Sequence, residues 1–210
     1  MRIVSVSGAG SRAGKTTVAE SLLRALPPGS AAAVKFTITE DVFERCPRGS
    51  VCVVCGIDTP FRIVRDAAVL REPGTDTDRL AAAGAREVVW VISRASASSL
   101  AWAAVARMLE AAPLAILEGS TVVEQGLARP DLRLFVAHRS MPPDRWKPTS
   151  ASLIAAADRV VIHTEGPAPS RRVVDALDAL GARGKRVIAD ATRPLREWAP
   201  DLELRLHGLA

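Results

Sequence analysis

The first seventeen residues, MRIVSVSGAGSRAGKTT, constrain the fold more than any other stretch of the chain. Ile3, Val4 and Val6 form a short β-branched run of the kind found in buried parallel strands. A glycine-containing loop follows and ends at Gly14 and Lys15. Apolar residues then recur at every fourth position, as they do on one face of a helix, at Val18, Leu22 and Leu26. The segment therefore predicts a strand, a glycine-rich loop and a helix, in that order.

The loop between this strand and this helix has the residue pattern of a phosphate-binding P-loop. Small residues allow the backbone to wrap around a polyphosphate with its amide groups pointing inward. The helix N-terminus adds unpaired donors and the positive end of its dipole. We expect Lys15 to reach the β- and γ-phosphates and the hydroxyl of Thr16 to bind Mg²⁺. The predicted nucleotide-binding residues of this segment are Gly8, Gly10, Ser11, Ala13, Gly14, Lys15, Thr16 and Thr17.

One position departs from the G-x-x-x-x-G-K-[ST] pattern. Counting back from Gly14, the first glycine of the pattern falls on Ala9, which has Gly8 and Gly10 on either side. Either alanine is tolerated at the loop entrance, or the loop that starts at Gly8 is longer than usual. The structural alternative is a glycine-rich turn that binds nothing.

Composition restricts the class of protein. A length of 210 residues suits one α/β domain, and 48% hydrophobic residues are enough to cover both faces of a sheet. The net charge of +5 fits an anionic ligand such as a nucleotide. The basic residues are scattered and only 4% of residues are aromatic, so we do not expect a nucleic-acid partner.

The chain also lacks the sequence signals of membrane insertion and secretion. No apolar run approaches the roughly eighteen residues of a membrane span. The sequence starts directly on a predicted strand, without a signal peptide. We therefore expect a cytoplasmic protein without a membrane partner.

Strand and helix patterns alternate along the chain. Further strands are predicted at Ala31–Phe36, Phe61–Val64, Glu87–Ser93, Leu114–Leu117, Asp131–Ala137, Arg159–His163 and Lys185–Ala189. Further helices are predicted from Asp76 to Gly84, Ser96 to Ala111 (with Leu100, Ala104 and Met108 on one face), Ser150 to Ala157 and Ser170 to Leu180, and the tail from Leu195 to Leu209 is expected to add a short helix or an edge strand. This alternation predicts an α/β P-loop NTPase fold in a single domain, residues 1–210, with a doubly wound, mostly parallel sheet of about seven strands and flanking helices.

Two ionisable residues end predicted strands at the edge where ligands of such sheets bind. Glu118 follows the strand that starts at Leu114, and Lys35 lies near the end of the strand that starts at Ala31. Because the P-loop belongs to the same edge, Glu118 is a candidate for catalysis or for binding Mg²⁺. Lys35 is a candidate for contact with phosphate or substrate. The alternative for both is a solvated side chain in a loop.

All three cysteines lie in a segment without a clear helix period, at about residues 37–60, which we interpret as an insertion. Cys46, Cys52 and Cys55 have the spacing C-x5-C-x2-C, and thiolates are good ligands for Zn²⁺ or an iron–sulfur cluster. Three thiolates leave one tetrahedral position open, for Asp41, Glu44, a histidine, water or a symmetry mate. The alternative is three thiols that act as small apolar side chains.

Four segments of the chain resemble the P-loop family of the molybdopterin-guanine-dinucleotide biosynthesis adaptor, MobB. They are Gly8 to Thr17, Val34-Lys35, the stretch from Pro73 to Ala85 with the strand Val88 to Ser93 after it, and Leu117-Glu118-Gly119. The resemblance covers about residues 1–138, and its most specific part is Pro73–Ala85. The cysteine segment is not part of the family's usual pattern.

This resemblance implies a nucleotide-binding protein of the group that also holds the nickel-insertion GTPases and dethiobiotin synthetase. It implies GTP binding, a homodimer and a role in molybdenum or other metal cofactor biosynthesis, with a client metalloenzyme or cofactor-synthesis protein as partner. It places Glu118 near Mg²⁺ or the attacking water, in the Walker-B position. It also adds Asp76 to the site, although Asp76 and Asp78 fit helix capping equally well.

The leading hypothesis is therefore an Mg²⁺-dependent NTPase with slow turnover, in which Lys15 and Glu118 carry the chemistry. The chain has no Asn-Lys-x-Asp guanine motif, so GTP and ATP both stay open. One alternative is a metallochaperone that carries a metal on its cysteines and uses the nucleotide as a switch. Another is an ATP-dependent kinase or ligase with Lys35 and Asp76 in an acceptor pocket. A binding scaffold without turnover is the last alternative.

Overall fold

A computed structural model describes residues 1–39 and 59–210 of the chain. Within these residues the strands alternate with helices, as the sequence pattern predicts. In chain order the strands are β1 (Arg2–Gly8), β2 (Ala31–Ile38), β3 (Phe61–Val64), β4 (Val88–Ser93), β5 (Leu114–Glu118), β6 (Leu132–His138), β7 (Arg159–His163) and β8 (Arg186–Ala189).

The helices of the described residues fill the connections between these strands. They are α1 (Lys15–Ala25), α2 (Ala67–Leu70), α3 (Asp76–Ala82), α4 (Ser98–Met108), α5 (Thr121–Glu124), α6 (Ser150–Ala156), α7 (Arg171–Ala179), α8 (Leu195–Trp198) and α9 (Pro200–His207). Two short 3-10 turns, Ala95–Ala97 and Pro143–Arg145, precede α4 and α6.

The strands form one eight-stranded sheet in the order β3-β4-β2-β5-β1-β6-β7-β8. Every pair of neighbours is parallel except β3 and β4, which are antiparallel at the edge of the sheet. The predicted α/β architecture with a mostly parallel sheet and flanking helices is therefore confirmed, with eight strands in place of about seven. β1 lies in the middle, between β5 and β6, so the loop that follows it opens at the centre of one sheet edge.

Apolar side chains alternate between the two faces of the sheet, and helices cover both faces. On β1, Val4 and Val6 pack with α1, α3, α8 and α9, whereas Ile3 packs on the opposite side with α4. Phe135 and Ile162, farther along the sheet, pack with α6 and α7. The core therefore lies on both sides of a central layer, and the carboxyl ends of the strands stay free to carry a site.

Helix α4 packs through a different face from the one that its sequence pattern picked out. Leu100 is 64% exposed and Met108 lies at the surface, so their predicted face points away from the sheet. The buried side chains are Ala101, Trp102 and Val105. Burying the large indole of Trp102 removes more apolar area from water than burying Leu100 would, and this sets the rotation of the helix.

Two further boundaries differ from the sequence prediction. β2 continues to Ile38, so Thr37 and Ile38 extend the strand rather than begin the insertion, because they pair with Ile92 and Ser93 of β4. The tail forms two short helices, α8 and α9, and no strand is found there. None of the described helices has the length and apolar character needed to cross a bilayer.

Candidate functional site

The candidate site lies at the carboxyl edge of the three central strands. Residues 8–14, here called the glycine-rich loop, connect β1 to α1. On the neighbouring strand β5, Glu118 is in register with Val6 of β1 and with Lys35 of β2. The parallel pairing thus brings Lys35, Glu118 and the glycine-rich loop to one place.

The backbone of the glycine-rich loop adopts conformations that few residues allow. Gly14 has φ = 93° and Arg12 has φ = 60°, both in the left-handed region. A Cβ on Gly14 would lie 2.5 Å from Cδ2 of the buried His163, so only glycine fits there. Gly14 is the N-cap of α1 and offers no side-chain acceptor to the first amide groups of that helix. These amide groups form a ready anion-binding position.

Lys15 folds back over this loop. Its Nζ donates a hydrogen bond to the carbonyl oxygen of Gly10 at 2.7 Å. Burial lowers the pKa of Lys15, and although Glu118 raises it, the positive charges of Lys35 and Lys147 lower it further. An ammonium group in this position gains free energy from an anion that approaches it, because the anion offsets both the burial and the repulsion.

A network of ionic hydrogen bonds joins α1, β2, β5 and α3. The Oε1 atom of Glu118 accepts from Thr16 Oγ1 at 3.0 Å and from Lys35 Nζ at 3.0 Å. Lys35 Nζ also donates to Asp76 Oδ2 at 2.5 Å. Four residues that the sequence singled out separately are therefore in direct contact.

The two carboxylates hold Lys35 in its charged form. Burial alone would lower the pKa of Lys35, but Glu118 and Asp76 outweigh that effect and raise it. Burial would likewise raise the pKa of Asp76, but the charge and hydrogen bond of Lys35, with help from Thr16, lower it. The pair stays ionised at neutral pH, since each charge stabilises the other.

Glu118 keeps one oxygen without a partner. The residue is only 3% exposed, and within the described residues its Oε2 atom is buried and has no hydrogen-bond partner. A buried carboxylate oxygen without a donor is costly, so such an atom needs an explanation. A bound cation or an ordered water would satisfy it.

A second ion pair fixes α3, which carries Asp76, against α1. Arg79 forms two hydrogen bonds with the buried Glu20, at 2.5 and 3.2 Å. Its Nη2 atom also donates to Thr17 Oγ1 at 3.0 Å. Thr17, predicted to bind nucleotide, is therefore occupied in a contact between helices, and Asp76 starts a helix that is held rigidly beside the glycine-rich loop.

The sequence analysis missed one cation of the site, Lys147. This residue lies between the second 3-10 turn and α6, and its Nζ donates to Ser120 Oγ at 3.0 Å. The chain has 24 arginines and only four lysines, and three of those four lysines, Lys15, Lys35 and Lys147, meet at this edge. That bias is visible in the sequence and could have pointed to Lys147.

The remaining predicted residues divide into two groups. Ser11 is exposed and Ala13 is buried within the glycine-rich loop, while Gly8 lies against the side chain of Lys15. Cys46, Cys52 and Cys55 lie outside the described residues, so the metal or cluster site stays a prediction. The described chain ends at Thr39 after β2 and resumes at Thr59 before β3.

Comparison with known proteins does not identify a family for this chain. No protein-family model matches the sequence, and the search of curated proteins gives no match either.

Proposed function

We propose that the protein binds a nucleoside triphosphate with Mg²⁺ at the glycine-rich loop and slowly hydrolyses the terminal phosphate. One observation carries the proposal: Lys15, Thr16, Lys35 and Glu118 meet beside a loop whose amide groups begin a helix. Fixed cations, backbone donors and a free carboxylate oxygen in one place match the parts that phosphoryl transfer requires.

The residues present fit a magnesium ion. Thr16 Oγ1, Glu118 and Asp76 are all oxygen ligands, which Mg²⁺ prefers, and Glu118 Oε2 is buried without a partner. The described residues contain no group of three or more His, Cys, Asp or Glu side chains that could hold a metal ion on their own. Mg²⁺ does not need such a group, because it is commonly held by one or two carboxylates together with substrate phosphates. When bound, the ion would neutralise phosphate charge.

The chain's own groups divide the remaining work. The amide groups at the start of α1 and the ammonium of Lys15 bind phosphate oxygens once Lys15 leaves the carbonyl oxygen of Gly10. Thr16 and Glu118 would hold the ion. Alternatively, Glu118 would orient the attacking water. Lys35 donates to both carboxylates and holds them beside the glycine-rich loop. We expect slow turnover, as in NTPases whose charge neutralisation is completed by a partner.

The resemblance to the MobB family supports a place for this activity in molybdenum or other metal cofactor biosynthesis. Its specific stretch, Pro73–Ala85, contains Asp76 and Arg79, which connect α3 to the site. A homodimer and a client protein belong to this part of the proposal. The choice between GTP and ATP is left to experiment.

Titration calorimetry with GTP and with ATP, in the presence of Mg²⁺, tests the proposal. We expect one of the two nucleotides to bind, and we expect Lys15→Ala to weaken binding roughly 10- to 150-fold, the range of a lost charged hydrogen bond. Lys185→Ala is the matched control, because that lysine donates to the carbonyl oxygen of Ala155 away from the site. Wild-type protein that binds neither nucleotide, or a Lys15→Ala variant that binds normally, would contradict the proposal.

Phosphate release tests the catalytic part. We expect Glu118→Gln to lower the rate of phosphate release at saturating nucleotide, since the amide cannot replace the charge of the carboxylate. Turnover in Glu118→Gln equal to that of the wild type would show that Glu118 has no role in hydrolysis.

A small-molecule kinase or ligase is the second candidate, and the position of Asp76 favours it. The side chain of Asp76 is 42% exposed while it contacts the mostly buried Lys35, so the pair lines an opening to solvent. A carboxylate and an ammonium at such an opening can orient an acceptor. ADP formation that rises sharply with one added metabolite would support this candidate over simple hydrolysis.

A further inference from the structure

The segment from Met141 to Lys147 covers the outer side of the glycine-rich loop. The backbone N–H of Lys147 donates to the carbonyl oxygen of Ala9 at 2.8 Å. Trp146 Nε1 closes the segment on itself by donating to the carbonyl oxygen of Met141 at 3.1 Å. Met141 in turn lies against Gly10, where a Cβ would be 3.4 Å from its sulfur atom. The backbone of Lys147 is therefore fixed to the loop before any ligand binds.

The side chain of Lys147 crosses from the β6 side of β1 to the β5 side. Its Nζ donates to the hydroxyl of the buried Ser120, two positions beyond Glu118. Its charge also acts on Lys15 across the loop. The ammonium of Lys147 thus lies at the end of β5, beside the residue two positions beyond the predicted magnesium ligand, and near enough to Lys15 to act on its charge.

We propose that Lys147 binds the terminal phosphate of the nucleoside triphosphate and so distinguishes triphosphate from diphosphate. The inference rests on the proposed function. If Lys15 binds the β- and γ-phosphates and Glu118 would hold the ion, the terminal phosphate is expected beside Lys15 and within reach of the lysine that contacts Ser120. Lys35 reaches Glu118 from the β2 side, and Lys147 reaches Ser120 from the β6 side.

The energetics favour this exchange of partners. In the ligand-free protein Lys147 has a neutral hydroxyl as its acceptor, whereas a phosphate oxygen would give a charge-assisted hydrogen bond, which is roughly twice as strong. The three ammonium groups also repel one another, and the terminal phosphate relieves that repulsion. A diphosphate would leave Lys147 on Ser120.

The test compares the affinities of triphosphate and diphosphate in matched variants. The dissociation constants of the preferred nucleotide and of its diphosphate are measured by calorimetry with Mg²⁺ for wild type, Lys147→Ala and Lys185→Ala. We expect Lys147→Ala to weaken triphosphate binding about 10- to 100-fold and diphosphate binding less than about threefold. Lys185→Ala should change neither.

Three outcomes separate this inference from the proposed function. Equal losses for both nucleotides, or no loss for either, would overturn the inference, provided that Lys15→Ala still weakens nucleotide binding. Wild-type protein that binds no nucleotide would overturn the proposed function and the inference together. If Lys147→Ala does not fold, Lys147→Met keeps the apolar stem and the backbone bond to Ala9, and the same comparison applies to it.

Discussion

At the residue scale, the fit of Gly14 against His163 makes the glycine-rich loop intolerant of side chains. A Cβ at this position meets the histidine ring at 2.5 Å, and the backbone has φ = 93°. The glycine therefore satisfies two constraints, one of conformation and one of space. Gly29 has a similar φ of 78° but nothing within 4 Å, so it carries the first constraint alone.

This difference gives a prediction that separates the two constraints. Gly29→Ala should lower the free energy of unfolding by about 1–2 kcal/mol, the cost of a left-handed alanine. Gly14→Ala should cost clearly more, and Gly14→Ala combined with His163→Ala should show a favourable coupling because the contact is gone. Urea denaturation measures the wild type, Gly29→Ala, Gly14→Ala, His163→Ala and the double variant. If both variants lose the same free energy of unfolding, the side chain of His163 moves aside for the added methyl group without a measurable cost.

At the scale of elements, the contact of Arg79 with Glu20 determines how α3 lies on α1. Glu20 is 5% exposed, so removing its main partner leaves a buried charge. Arg24 also contacts Glu20, at 3.4 Å, but its side chain is 52% exposed. The side chain of Arg79 is 38% exposed, so the two arginines differ more in the number of hydrogen bonds to Glu20 than in their exposure.

We expect Arg79→Met to lower the free energy of unfolding by about 1–3 kcal/mol, because the buried Glu20 loses two hydrogen bonds from a partly exposed arginine. Arg24→Met should cost less than about 1 kcal/mol, as for a surface pair. Chemical denaturation of both variants gives the comparison. Similar losses for the two would mean that Glu20 is solvated well enough not to need Arg79.

Edge strand β8 is attached to α7 through another carboxylate, Asp178. Arg186 donates to both of its oxygens, at 2.6 and 3.1 Å. The hydrogen bonds from Arg186 lower the pKa of Asp178 below its ordinary value. A carboxylate with a lowered pKa stabilises the fold above the pKa of the unfolded chain and loses this effect as pH falls through the folded value.

Asp178→Asn should therefore destabilise the protein at pH 7 and lose its effect at acid pH, where the wild-type carboxylate is also neutral. The urea midpoint at a series of pH values between 7 and 2 measures the difference. Asp175→Asn, on the same helix and paired with the exposed Arg171 at 3.5 Å, is the control and should show little effect. If the difference in urea midpoint between the wild type and Asp178→Asn does not shrink toward low pH, the loss comes from changed packing or hydrogen bonding and not from the lost charge.

At the scale of the whole molecule, ligand binding at the central strand should stabilise the fold. A nucleotide at 100 times its dissociation constant adds about 2.7 kcal/mol to the free energy of unfolding. For a chain of this length that corresponds to a rise in Tm on the order of 5–10 °C. Differential scanning fluorimetry with Mg²⁺ and nucleotide measures it, and Lys15→Ala should show a clearly smaller rise at the same nucleotide concentration. A rise of equal size in Lys15→Ala would place the binding elsewhere.

Much of this architecture follows from sequence patterns, because they record burial. The β-branched run at Ile3–Val6 and the four-residue spacing after Lys15 predict β1 and α1 closely. The buried face of α4 was not predictable from spacing alone. Leu100 and Trp102 lie on different sides of the helix, and only packing against the sheet decides which of the two sides is buried.

The candidate site divides in the same way. Lys15 and Thr16 start α1 after the glycine-rich loop, and Glu118 ends β5, so the local sequence pattern places all three. Lys147 lies in an irregular segment, and what brings it to Ser120 is the backbone hydrogen bond to Ala9, a contact between distant parts of the chain. No local pattern records such a contact.

The concentration of lysine at one edge has a consequence for chemical footprinting. A reagent that acylates primary amines has only four side-chain targets in this chain, and three of them face the candidate site. Mass spectrometry of the labelled protein would therefore report how much of the candidate site is occupied by ligand, with the labelling of Lys185 as the internal reference. Bound triphosphate should protect Lys15, Lys35 and Lys147 together, whereas the arginines that supply the rest of the positive charge stay invisible to the reagent.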